Sequence, residues 1–198
     1  MATLQGFQPD AAERLPLPAR EKLSSAQQAA ADAIISGPRK AILGPFVPLL
    51  QCPALMERVG AMGEALRFQG ILPDLVRELV IILVARETGN QFEWQTHVAL
   101  ARRAGCAEQV IAAIADGRHP HGLEPPYRIA ADLAIELMGR NGISDETYHG
   151  AVEAFGEPGV VELTVLVGYF TMVCWVMNVA RSPGPVGSVE RPLAAWPS

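Results

Sequence analysis

The sequence is poor in cysteine, and its three cysteines, Cys52, Cys106 and Cys174, lie far apart. No two of them have the two-residue separation of a vicinal-thiol redox site, and no group has the spacing of a structural zinc site. Scattered, unpaired cysteines are typical of a reducing compartment. Because the first twenty residues also lack the apolar core of a secretory signal, we expect a cytoplasmic protein.

Basic residues are also few, with 16 Lys and Arg against 21 Asp and Glu, for a formal net charge of −5. They form no stripe that would bind phosphates, so no nucleic-acid partner is expected. The uncharged residues 163–180 are just long enough to be compared with a membrane span. Gly168 and Asn178 interrupt them, however, and no basic cluster precedes them. We therefore expect no membrane partner, and predict a buried helix in the core or at a subunit interface.

Strand-like alternation of polar and apolar residues is absent, which predicts an all-α fold. Prolines and glycines divide the chain into an extended N-terminal arm (1–18), one helical domain (19–181) and a Pro-rich tail (182–198). Within the domain the helix start and stop signals predict eight principal helices. These predicted helices are 19–36, 53–68, 73–87, 90–105, 107–116, 127–139, 144–155 and 158–180.

The stretch 78–97 is the one that indicates chemistry. Glu93 and His97 are four residues apart, so they share one face of a helix. Glu78 lies among leucines and isoleucines on the preceding helix, where an ionised carboxylate requires a partner. Two acids and an imidazole that converge in a dry pocket would form an acid–base site. The alternatives are a surface Glu93–His97 pair and a buried structural ion pair of Glu78 with Arg86 or another basic residue.

Other types of site find less support in the sequence. Glu78, Glu93 and His97 would supply three ligands for a metal, but HExxH and a second nearby histidine are both absent, so no metal site is expected. No nucleophile-elbow or phosphate-loop motif occurs. Cys52 precedes a predicted helix but has no histidine beside it. Phe46, in a rigid Gly-Pro-Phe segment, is a candidate lid for a small-molecule pocket.

Residues 78–114 resemble the carboxymuconolactone decarboxylase superfamily, of which the AhpD-like alkylhydroperoxidases are another branch. The similarity extends upstream to GPFVPLLQCPALMERVGAMGEALRF and downstream to VELTVLVGYFTMVCWVMN, so it covers roughly residues 38–180. The resemblance implies an AhpD-like bundle of helices. It also implies homo-oligomers, trimers or hexamers, in which residues 163–180 and the arms would contact neighbouring subunits.

The AhpD-like branch carries a Cys-x-x-Cys, a histidine four residues after the second cysteine, and a glutamate on the preceding helix. His97 matches that histidine and Glu78 matches the glutamate, whereas Asn90 and Glu93 stand where the two cysteines would be. Peroxide reduction through a disulfide therefore lacks its reactants. The remaining similarity is to the decarboxylase-like branch, which works without a cofactor.

The resemblance thus implies a carboxy-lyase-type enzyme for a small carboxylate or lactone-type metabolite, as in the breakdown of aromatic compounds. We expect His97 to be the proton donor and acceptor, Glu93 to orient or charge it, and Glu78 to act as a relay or buried acid. A non-catalytic oligomeric binding protein and an atypical redox protein without the CxxC are the alternatives. The expected substrate-binding residues are Arg86 for a substrate anion, together with Trp94, Phe46, Tyr169 and Asn90.

Overall fold

The computed structural model describes residues 12–194, so residues 1–11 of the N-terminal arm and 195–198 of the tail lie outside it. Within the described range the chain forms eight α-helices and no strand, which confirms the all-α fold. A 3-10 turn (Arg20–Lys22) precedes the first helix, and a π-helical turn (Ala65–Gln69) extends the third. The helices are α1 Ser25–Ser36, α2 Phe46–Leu49, α3 Pro53–Glu64, α4 Asp74–Glu87, α5 Gln91–Arg103, α6 Glu108–Ala115, α7 Pro125–Arg140 and α8 Asp145–Ala180.

Local side chains explain several helix boundaries. The α1 helix begins later than predicted because Ser24 and Gln27 form a capping box that starts the helix there. The predicted break between residues 155 and 158 is a kink inside α8, where Gly156 has the non-helical angles φ 69° and ψ 169°. A positive φ of this kind favours glycine, and Pro158 follows in the first turn of the second segment.

The α4 helix lies at the centre of the fold and packs against α5, α7 and α8. Its residues from Val76 to Arg86 are buried apart from Arg77, which is only slightly exposed. A helix that is apolar on every side is buried on every side. The apolar run around Glu78 therefore places this carboxylate inside the protein.

A smaller apolar cluster formed by α1, α2 and α3 lies beside the main core and includes Phe46, Leu50 and Met56. The α3 helix approaches α8 closely at Gly63. A Cβ atom at this position would lie 2.2 Å from the Tyr169 hydroxyl and 2.8 Å from a guanidinium nitrogen of Arg39. The glycine therefore allows both polar side chains to reach the space between the two clusters.

The α8 helix is long and apolar enough to cross a membrane by length and composition, and half of its most apolar window is buried within the protein. Helices of soluble cores meet the same criterion, so this is weak evidence of a span. Its outer face carries a stripe of exposed small and apolar residues, spaced alternately by four and three positions. We call it the α8 stripe: Val161, Val165, Gly168, Met172, Trp175 and Val179.

The tail from residue 182 to residue 194 has no helix or strand and lies along α5 of the same chain. The side-chain amide of Gln91 both accepts from the backbone N–H of Leu193 (2.9 Å) and donates to its carbonyl (3.0 Å). Trp94 Nε1 donates to the carbonyl of Arg191 at 3.1 Å. The tail therefore covers the face of α5 that carries Trp94.

Candidate active site

His97 lies between two carboxylates in the interior of the protein. Its Nδ1 is 2.6 Å from Glu78 Oε2, and its Nε2 is 3.1 Å from Glu93 Oε2. All three side chains are buried. The acids thus contact opposite sides of one imidazole ring, which also meets the Phe170 ring edge to face at 5.3 Å between centroids.

The turn between α4 and α5 brings these groups together. Gly89 takes φ 64° in this turn, and Asn90 caps α5 by accepting from the backbone N–H of Glu93 at 2.9 Å. The Asn90 amide nitrogen also donates to the carbonyl of Cys174 and to Asn178 Oδ1. Asn90 is therefore a buried structural cap, and the structure does not place it at the cavity as a substrate-binding residue.

A cavity of about 380 Å³ opens beside Glu93 and His97. Glu78 is not part of its wall, because it lies behind the imidazole. Most of the wall is apolar or aromatic, which suits a small unsaturated ligand. The other lining residues are Pro38, Arg39, Ala41, Leu43, Pro45, Phe46, Arg67, Phe68, Phe92, Thr96, Tyr169, Phe170 and Val173.

Phe46 and Tyr169 line this cavity, but two other expected binding residues do not. Trp94 follows Glu93 by one residue, and a helix turns about 100° per residue, so it faces the tail. Arg86 lies eight residues after Glu78, about 12 Å along α4, where it donates to the carbonyl of Ala194 at 2.8 Å. Neither Trp94, expected as a wall, nor Arg86, expected to bind the substrate anion, therefore lines this cavity.

Two arginines that the sequence did not single out occupy the cavity wall instead. Arg39 is paired with Glu64 at 2.7 Å and lies 4.6 Å above the Phe46 ring. Arg67 lies on the π-helical turn, half-buried, and makes no ion pair with any residue in the range 12–194. Extra turns of this type occur often at functional sites. Arg67 is therefore the best-placed cation for a bound anion, and no sequence motif marks the turn that places it.

The nearest cation to Glu78 is not Arg86 but Arg77, whose Nε lies 3.6 Å from Glu78 Oε1. Consecutive helical residues do not normally face each other, so sequence spacing gave no reason to pair them. The ion-pair alternative considered for Glu78 therefore exists with a different partner. Because Glu78 contacts His97 as well, the ion pair and the acid–base cluster belong to one network.

Burial by itself lowers the pKa of His97, because a charged ring loses its hydration. Hydrogen bonds and charge interactions with Glu78 and Glu93 outweigh that effect, and the pKa of His97 is raised above its ordinary value of 6.5. The imidazolium form therefore persists to higher pH than it does in an exposed histidine. Burial raises the pKa of Tyr169 to about 12, so its hydroxyl stays protonated at the cavity wall.

The three cysteines are free thiols, and none lines the cavity. Burial raises the pKa of Cys106 to about 11 and also raises that of Cys174. Neither is a ready nucleophile, because the thiolate is the reactive form. Within residues 12–194, no three His, Cys, Asp or Glu side chains are grouped so that they would hold a metal ion.

The raised pKa of His97 predicts that stability falls as the pH rises. A base that binds its proton more tightly in the folded state stabilises that state fully below its unfolded pKa, near 6.5. That contribution is lost as the pH rises from this value through the higher folded pKa. We expect the unfolding free energy, measured by urea denaturation from pH 6 to 8, to fall above pH 6.5 by at most about 1.4 kcal/mol per pH unit.

His97→Gln removes the titrating ring and should flatten this dependence, whereas His149→Gln, a change at an exposed histidine, should preserve it. Equal slopes for the wild type and His97→Gln would show that His97 does not have a raised pKa.

Residues 53–136, which include Glu78, Glu93 and His97, match the model of the carboxymuconolactone decarboxylase family. Comparison with curated proteins gives no match. One similar solved structure is the alkylhydroperoxidase AhpD core of an uncharacterized peroxidase-related protein from Ralstonia eutropha JMP134. It is 14% identical with a TM-score of 0.74, over 92% of this chain and 97% of that one.

Another similar structure is a protein of unknown function from Agrobacterium tumefaciens, a candidate antioxidant defence protein AhpD. It is 19% identical with a TM-score of 0.61, over 70% of this chain and 95% of that one. At these identities both structures establish the fold alone. Residues 53–136 are therefore similar to the carboxymuconolactone decarboxylase family, and the chain has an AhpD-like all-α fold.

Proposed function

We propose that the protein is a cofactor-independent acid–base enzyme of the carboxy-lyase type that acts on a small carboxylate or lactone-type metabolite. The observation that supports this most strongly is the buried Glu78–His97–Glu93 cluster beside an apolar cavity that also contains Arg67. The match of residues 53–136 to the model of the carboxymuconolactone decarboxylase family supports the same reaction class. A thiol mechanism has no support, because no cysteine lines the cavity.

In this proposal a substrate carboxylate is held beside Arg67 while the unsaturated body of the substrate contacts the aromatic wall. The bond from the carboxylate carbon breaks, CO₂ leaves, and the electron pair enters the conjugated lactone or carbonyl. The resulting dienolate takes a proton from the His97–Glu93 pair, which then regains one from water. Proton transfer by a positioned side chain of this kind typically contributes a factor of about 10²–10⁴ to the rate.

The geometry supports roles for the two glutamates that differ from those expected from the sequence. Glu78, at 2.6 Å from Nδ1 and behind the ring, is the better orienting group for His97. Glu93 lies at the cavity wall with His97, so it is close enough to the substrate to share the transferred proton. We therefore assign orientation to Glu78 and proton transfer to the His97–Glu93 pair.

Turnover should depend on both members of this pair. We expect His97→Gln and Glu93→Gln each to lower kcat by about 10²–10⁴, because the transferred proton loses its donor. The assay is loss of substrate absorbance with a panel of carboxylated lactones and muconate-type acids. His149→Gln on the exposed surface of α8 is the matched control and should keep full turnover. Near-normal kcat in His97→Gln would rule out the assigned role.

Substrate binding should depend on Arg67. Loss of a hydrogen bond to a charged group is worth about 1.5–3 kcal/mol, so Arg67→Gln should raise KM by about 10–100-fold. Arg67→Lys should recover part of this loss, because the charge is kept without the planar fork. Arg58→Gln, at an exposed arginine on α3, is the control and should leave KM unchanged. An unchanged KM in Arg67→Gln would show that Arg67 does not bind the substrate anion.

The protein is also proposed to self-associate through the α8 stripe. Spacing of four and three residues is the pattern of knobs-into-holes packing between helices. Gly168 lies in the middle of the stripe, and a Cβ built there meets nothing within 4 Å, so a second helix has room to approach the backbone closely. Residues 163–180 carry no charge that would oppose burial of this face.

Size-exclusion chromatography with light scattering should therefore give a molar mass above that of one chain. Val179→Glu, which puts a charge on the stripe, should lower this mass because the charge would be buried unpaired. Val186→Glu, at a fully exposed valine of the tail, should leave the mass unchanged. A wild-type mass equal to one chain at all concentrations would contradict the proposal.

A further inference from the structure

Glu78 has a second charged neighbour besides His97. The Arg77 side chain is only 11% exposed, and its Nε lies 3.6 Å from Glu78 Oε1. This nitrogen is buried and has no hydrogen-bond acceptor, so it acts on Glu78 through its charge at a distance slightly beyond a hydrogen bond. Other nitrogens of the same guanidinium bind Asp74 at 2.6 Å and the carbonyl of Leu72 at 3.5 Å.

A line of charges therefore runs from the surface to the cavity. It begins at Asp74, whose side chain is 81% exposed, and continues through Arg77, Glu78 and His97 to Glu93 at the cavity wall. The last four of these are buried or nearly so. Because ions are costly to bury unless their charges balance, the net charge of this group controls how many protons it binds.

The balance requires one proton. With both glutamates ionised and His97 neutral, the four residues carry one net negative charge, and protonation of the imidazole brings the sum to zero. Tyr169 and Cys174 face the group from α8, and both stay neutral because burial raises the pKa of each. Arg39 and Arg67 lie across the cavity, where Arg39 is already paired with Glu64.

We propose that Arg77 is a positioning residue whose charge sets how tightly the Glu78–His97–Glu93 cluster holds its single proton. Without Arg77 the protonated cluster would still carry a net negative charge, and it would release the proton less readily. Transfer is most effective when the donor has a pKa near the working pH. The positive charge of Arg77, behind Glu78, thus lowers the proton affinity of the His97–Glu93 pair at the cavity.

This inference deepens the proposed function, because it concerns the proton that the proposed reaction uses. Its test requires no substrate. The inference about Arg77 can therefore fail while the proposed reaction holds, and the proposed reaction can fail while the inference holds. The measurement is a pH titration of the histidine ring signals of the full chain by nuclear magnetic resonance. The chain has four histidines, and the His97 signal is the one that disappears in His97→Gln.

Arg77→Gln should move the titration midpoint of His97 upward by about 1–3 pH units, the effect of removing a unit charge close to a buried group. The sign follows because loss of a positive charge favours the protonated ring. Asp74→Asn is the matched control. It changes the exposed partner of Arg77 but leaves the guanidinium in place, so the midpoint should stay within about 0.3 pH unit of the wild type.

Arg77→Lys keeps the charge with a different geometry and should fall between the wild type and Arg77→Gln. A purely structural role for Arg77 would lower the unfolding midpoint in urea without moving the His97 titration. An unchanged or lowered His97 midpoint in Arg77→Gln would therefore overturn the proposal. If Arg77→Gln does not fold, the comparison is between Arg77→Lys and Asp74→Asn. Equal His97 midpoints in these two variants would overturn the proposal. An upward shift of the His97 midpoint in Arg77→Lys alone would support the proposal.

Discussion

The 2.6 Å contact between Glu78 and His97 is the interaction on which the rest of the site depends. It joins two neighbouring helices in the interior of the protein, where neither group would be stable as an isolated charge. The buried carboxylate needs a hydrogen-bond donor and the buried imidazolium needs an acceptor. Each group therefore replaces the hydrogen bond with water that the other loses on burial. This pairing requires α4 and α5 to keep one register, which the Gly89 turn and the Asn90 cap maintain.

The surrounding residues place the charges in order. Arg77 lies behind Glu78, Glu93 lies in front of His97, and Arg67 lies on the cavity wall. Negative and positive groups thus alternate from the surface inward, and the proton bound by His97 lies next to the cavity. In the AhpD-like pattern a thiol stands at the position of Glu93. A carboxylate there binds and releases protons but does not exchange electrons, which is why we propose acid–base chemistry.

Much of this was readable from the sequence because the signals are local. Absence of alternation predicts helices, and Asn90, Ser144 and Pro53 mark where three of them begin. The four-residue spacing of Glu93 and His97 places them on one face through helix geometry alone. The uniformly apolar sequence around Glu78 similarly requires burial of that helix on all sides.

Tertiary structure decided which residues meet across longer distances. Arg39, Arg67 and Tyr169 come from three separate segments and line one cavity, so no spacing rule relates them to His97. Arg86 lies within the stretch 78–97, but the rise of α4 carries it away toward the tail. The sequence by itself determined the helices and the acid–base pair on α5, because these follow from contacts within a turn. The cations that complete the site depended on packing between distant helices, which only the folded chain specifies.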